Sequence, residues 1–145
     1  MENPLSSPMN MVWACLGLHL IADYFLQGCL ADLKQRRWWD AQIKKLYEEY
    51  DGYKNPYAWQ NLLSKKYKYD YMAGLFCHAA MWTIVSFFPL MWFCTPGMFA
   101  LLVLANILVH FVTDHMKANA HRLNLVQDQL IHLAQVIITV LIVML

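Results

Sequence analysis

Seven ionisable residues lie inside hydrophobic segments of this chain: His19, Asp23, His78, His110, Asp114, Asp128 and His132. Charges in such segments are costly and rare, so together they mark a site. Imidazole nitrogen and carboxylate oxygen are donors suited to Zn, Mn or Fe, with Mg favoured where carboxylates and water dominate. Their spacing supports shared use. His19, Asp23 and Gln27 follow i, i+4, i+8, as do Asn106, His110 and Asp114, so each set forms one stripe on a helix. Asp128, His132 and Gln135 mark one face of another helix, and His78 stands alone in an apolar run. A His/Asp pair at i, i+4 offers two ligands to one ion, and facing helices complete the sphere. One or two divalent ions fit this donor set, and a cation would neutralise Asp23, Asp114 and Asp128, which otherwise repel one another.

The expected metal ligands are His19, Asp23, His110, Asp114 and His132, with Asp128 or His78 as general base. Lys117, close beyond Asp114, is placed to neutralise a phosphate; Gln27, Asn106 and Gln129 are placed to orient substrate or the ligands themselves. His115 and His121 fall at or past the end of their helix and are expected to be solvated. No Ser/His/Asp or Cys/His nucleophile set and no Gly-rich phosphate loop is present. Cys15, Cys29, Cys77 and Cys94 lack CxxC spacing, which argues against a zinc ribbon or disulfide framework and leaves them as small buried hydrophobes.

The elements that must position these residues are membrane helices. At 145 residues and 59% hydrophobic content the chain is one domain, 1–145, and too apolar for an ordinary soluble one. Four stretches, 9–30, 72–93, 98–117 and 125–145, are long enough to cross about 30 Å of hydrocarbon. The fold class expected is all-α: a four-transmembrane-helix bundle with an amphipathic cytoplasmic helical insertion at 31–71. Glu2 and the lack of a basic segment before the first apolar run give no sign of a cleavable signal peptide.

Net charge is only +1, but its distribution is uneven. Every Lys and Arg lies between the first and second spans or at Lys117 and Arg122, between the third and fourth. The positive-inside rule then puts both connections in the cytoplasm and both termini outside. Because successive helices reverse direction, the late stripes of helices one and three meet the early ones of two and four, at the cytoplasmic half.

The insertion mixes charges with apolar residues at helical spacing from Leu30 to Tyr50, then breaks at Gly52, Asn55 and Pro56. Its many Tyr, Trp and Lys residues suit a helical hairpin lying against membrane lipids at the inner headgroups. A host protein partner on 31–71 is the alternative; six acids in the segment argue against nucleic acid. The His/Asp residues themselves admit two other roles, interhelical hydrogen bonding and a proton or ion path, but seven at one depth exceed what helix association needs.

The runs HLIADYFLQ from His19, HFVTDHMK from His110 and DQLIH from Asp128, together with His78, resemble in that order the phage and bacterial membrane family catalogued as domain of unknown function 3307. The resemblance spans most of the chain, although the connection from Gln27 to His78 is longer than the family's usual one. It implies a bacterial (host) inner-membrane location, with both termini periplasmic. More loosely, the HxxxD runs resemble membrane families described as metal-dependent hydrolases. Three functions follow as expectations: a metal-dependent hydrolase of a phosphorylated or lipid-linked substrate, a non-enzymatic phage effector acting in superinfection exclusion or against host defence, or a proton or metal-ion transporter, which would need a homo-oligomer to form a path.

Overall fold

A computed structural model describes residues 4–49 and 56–145, and side chains from residues 5–49 and 60–145. A short 3-10 turn, Pro4–Ser6, leads into α1 (Pro8–Leu20), which continues as a π-helix over Ile21–Leu26. There follow α2 (Leu30–Leu33), α3 (Arg36–Glu49), α4 (Pro56–Lys66) and α5 (Asp70–Phe87), the last extended by a 3-10 turn to Trp92. Helices α6 (Pro96–Ala118) and α7 (Leu125–Met144) complete the chain, and no strand occurs among the described residues. The expected breaks at Gly52 and Asn55 lie outside the described residues; Pro56 opens α4, where its missing N–H costs nothing.

Four helical stretches are long and apolar enough to cross a membrane: Pro8–Leu26, Gln60–Trp92, Pro96–Ala118 and Leu125–Met144. At about 1.5 Å per residue each reaches the thickness of the hydrocarbon core. Their surfaces are reversed relative to a soluble bundle. On α6, Leu101, Leu104, Leu108 and Val112 point outward while Asn106, His110, Thr113 and Asp114 are buried. In water so large an apolar surface would drive association. In lipid it is the expected outer face, and the pattern fits a multi-pass membrane protein.

The ends of the helices are set locally. Thr95 caps α6 by accepting the Met98 N–H, with Pro96 at the first helical position. Asn124 and Gln127 form a reciprocal capping box that fixes the start of α7 and puts Asp128 in its first turn, where the helix dipole favours a carboxylate. The first span is shorter than its expected limit of Leu30. It widens into the π-turn, ends at Gln27 and reverses through Gly28, whose φ of +45° lies where a Cβ is strained. Gln27 is therefore at the helix terminus, beyond the stripe begun by His19 and Asp23. The helix expected from Leu30 to Tyr50 is likewise broken, at Lys34 and Gln35, where the Gln35 side-chain amide donates to the Ala31 carbonyl.

Both basic connections lie at one end of the bundle. Asn119, just after α6, accepts the Arg36 backbone N–H at 2.8 Å and donates to the Lys34 carbonyl at 3.1 Å. Helix α2 is drawn against α5 at Gly74, where an added Cβ would stand 2.6 Å from the Leu33 carbonyl oxygen. The opposite end is closed by Met11, Cys15, Phe87, Leu90, Val136 and Val140, an apolar core with Trp82 at its inner edge. Of the cysteines only Cys15 is buried; Cys29 and Cys77 are exposed and Cys94 is half-buried, because three of them lie outside the helix contacts, and all four are free thiols.

Candidate metal centre

Five of the expected residues meet in two donor sets that share one carboxylate. His78, His110 and Asp114 form one; Asp114, Asp128 and His132 form the other, and within each set the donor atoms lie within 4.8 Å of one another. All five are buried. The stripes of α6 and α7 bring His110 and Asp114 opposite Asp128 and His132, while α5 supplies His78 from the facing side.

The two oxygens of Asp114 divide between the sets. Its Oδ2 faces His78 Nε2 at 3.2 Å and His110 Nε2 at 3.7 Å, and its Oδ1 faces His132 Nε2 at 3.4 Å. His132 Nε2 is also 3.5 Å from Asp128 Oδ1. Most of these separations are long for hydrogen bonds, which favour about 2.7–3.2 Å between heavy atoms. They match another geometry. With metal–donor bonds of about 2.0–2.2 Å, neighbouring donors around a tetrahedral ion stand about 3.4 Å apart. Both nitrogens of His110, Nε2 of His132 and Oδ1 of Asp128 have no hydrogen-bond partner among the described residues. Leaving such a group buried costs about 1–3 kcal/mol each, and two of them, His132 Nε2 and Asp128 Oδ1, face each other at 3.5 Å, where one ligand would satisfy both. These buried His/Asp groups could hold a metal ion.

Two lysines reach into the cluster from the basic end. Lys34 Nζ donates to Asp114 Oδ2 at 2.7 Å and lies 3.0 Å from His78 Nε2, within the first donor set. Lys117 Nζ meets Asp128 Oδ2 at 2.5 Å, on the carboxylate oxygen turned away from His132. By sequence alone Lys34 is one of many charges in the first connection. Its depth depends on the turn at Gly28 and on the contact at Gly74, neither of which a linear pattern reveals.

The remaining candidates surround this centre. Asp23 Oδ1 is 3.7 Å from His78 Nε2, and Gln129 donates to both Asp23 Oδ2 and Asp128 Oδ2, at 3.1 and 3.2 Å, linking α1 to α7. His19 stands beside the two sets rather than in them: its Nδ1 accepts the Trp82 indole N–H at 2.8 Å. That bond occupies the Nδ1 lone pair and, in the neutral ring, puts the proton on Nε2.

Trp82 carries no motif that marks it in the sequence. Its indole stacks on His110 at 4.2 Å, and His110 stacks on His132 at the same distance, so a single aromatic column orients two of the imidazoles. The available signal was its position one turn after His78 on the same helix.

Asn106, expected near the ligands, reaches them only through Gln135, whose Oε1 lies 3.5 Å from His132 Nδ1. It donates to Thr139 and to the Leu102 carbonyl, while Gln135 donates to the Asn106 carbonyl. This is the interhelical clamp that polar residues commonly make in membranes, at about 0.6 kcal/mol per contact. His115, expected in solvent, is half-buried and stacks on Tyr71, because α6 continues past the centre before it ends. His121 is exposed. Gln27 lines a cavity of about 350 Å³ that opens beside Lys34, Asp114 and Lys117. Comparison of the chain with protein-family models, with curated proteins and with solved structures finds no match.

Proposed function

We propose that Asp114 Oδ1, Asp128 Oδ1 and His132 Nε2 bind one divalent metal ion, and that the chain is a membrane-embedded metal-dependent hydrolase acting at its basic face. Support comes chiefly from two buried donors, His132 Nε2 and Asp128 Oδ1, which stand at coordination-edge spacing and lack hydrogen-bond partners among the described residues. The competing occupant of such a cluster is an ammonium group, and Lys34 fills that role for the first donor set. Lys117 does not do so for the second, because it binds the outer oxygen of Asp128.

A divalent cation at this point supplies Lewis acidity and makes a neighbouring water easier to deprotonate. The chain supplies the rest. His78 Nε2 accepts from Lys34 and faces Asp114, so this imidazole and the ammonium together hold the shared carboxylate; Gln129 holds Asp23 and Asp128 in register. Water and substrate reach Asp114 through the cavity at the basic end, while the apolar core shuts the opposite end. By the positive-inside rule the basic end is cytoplasmic and the termini are outside.

The test is metal content and turnover of the full chain purified in detergent. Near-stoichiometric divalent metal is expected, with hydrolysis of a phosphate ester such as p-nitrophenyl phosphate that stops on chelation and returns on adding the metal back. A protein that carries no ion and takes none up refutes the reading, whatever its turnover.

A further inference from the structure

The cavity at the basic end has a composition of its own. Lys34, Arg37 and Lys117 line it together with His121 and Gln27, and the only carboxylate among its lining residues is Asp114. Counting His121 as neutral, the lining carries three cations and one anion, and Asp128, whose Oδ2 holds Lys117, brings the local charge to +1. At about 350 Å³ it falls in the range of small-ligand pockets. Lys34 and Lys117 are held with their ammonium groups on the cluster carboxylates, so neither swings freely.

Arg37 completes the arrangement differently. Its Nε donates to Gln35 Oε1 at 2.6 Å, and the Gln35 amide is tied in turn to the Ala31 carbonyl at 2.7 Å. The guanidinium is therefore oriented, yet among the described residues it forms no ion pair with a carboxylate, unlike neighbouring Arg36, which pairs with Asp40. An oriented guanidinium with its terminal nitrogens turned to water is a fork for two oxygens of one anion.

We infer that this cavity is a phosphate-group site, binding the phosphoryl end of a monoester between Arg37 on the rim and Lys34 and Lys117 at its floor. A phosphate monoester carries about −1.5 to −2 charges near neutral pH, the sign that these three cations attract. As the substrate site of a hydrolase this rests on the metal reading; as an anion site it does not. The same phosphate chemistry is offered by a lipid headgroup at the membrane surface or by a soluble ester from the aqueous side.

The full chain in phosphatidylcholine nanodiscs is titrated with inorganic phosphate, and a parallel preparation carries phosphatidate in the disc, with binding read by phosphorus NMR and metal content measured on the same samples. At least one probe should bind, and Arg37→Gln should weaken it about tenfold while leaving metal content unchanged. Arg37→Lys should restore only part of the loss, since a point charge lacks the fork. Binding of free phosphate identifies a soluble ester, and binding confined to phosphatidate identifies a lipid headgroup; either supports the site. Lys45→Gln, which removes an exposed charge from α3, controls for diffuse attraction. If neither probe binds, or if Lys45→Gln weakens binding as much as Arg37→Gln, the inference is overturned. Metal without anion binding leaves the metal reading standing and removes this one; anion binding without metal does the reverse.

Discussion

The two donor sets that share Asp114 differ in what balances their charge. In the first, an ammonium from the chain itself, Lys34, sits against Asp114 Oδ2 and His78. In the second, Lys117 stays on the outer face of Asp128, and the inner oxygen and His132 Nε2 are left facing each other. Nearly the same residue types, a few ångströms apart, thus differ in whether a cation of the chain already occupies them. On the proposed reading, coordination depends less on having His and Asp at hand than on whether a lysine reaches the same lone pairs.

That contrast can be broken most severely at the carboxylate common to both sets. Asp114→Asn should lower divalent-ion affinity by more than about 100-fold, beyond what loss of a supporting partner costs, with metal content of the purified protein as the readout. Retention of the ion would show that Asp114 is not shared. Separating the sets is the next test. His132→Ala should release the ion by a similar factor, whereas His110→Ala should change its affinity by less than about tenfold, the lower bound for a supporting residue; equal losses from both would erase the distinction between the sets.

Lys34→Met removes the internal cation and should raise the bound metal from one ion per chain toward two, measured by titration with Mn or Zn. Gly74→Ala reaches the same end through the backbone, because its Cβ would stand 2.6 and 2.7 Å from the Leu33 carbonyl group and push α2 outward. It should also cost about 1–3 kcal/mol of stability, visible as a lower melting temperature in detergent. A Gly74→Ala protein that melts like wild type and binds a single ion would mean that the close approach of α2 does not hold Lys34 in place.

The smallest effect is expected at Trp82. Trp82→Phe keeps a ring against His110 but removes the N–H donated to His19, at a cost of about 0.5–1.5 kcal/mol. Metal content should be unchanged, since His19 is outside both donor sets. Loss of the ion would place His19, or the column of stacked rings, closer to coordination than the distances indicate.

Much of this architecture was legible in the chain because the relevant patterns are local. Four apolar runs announced four spans, and the i, i+4 spacing of His110 with Asp114 and of Asp128 with His132 put each pair on one helix face. The capping residues Thr95 and Asn124 bounded α6 and α7 within a residue or two of the expected limits. The same periodicity misled at Gln27, since a π-turn replaces the α-helical register over Ile21–Leu26 without any Pro or Gly in that stretch to signal it. At Asn106 the same spacing leads one turn away from the cluster, and the link to His132 runs through Gln135.

The sequence by itself determined which helices form and which of their faces carry the donors, because hydrophobic runs, helical period and caps act over a few neighbouring residues. Tertiary structure decided which donors come together. Lys34 is distant in sequence from Asp114, and only the reversal at Gly28 and the bare backbone of Gly74 let α2 approach closely enough to insert its ammonium. Trp82 likewise fixes His19 and His110 through contacts between separate helices. Such contacts depend on how far apart packed backbones come to rest, and that distance is set by the whole bundle.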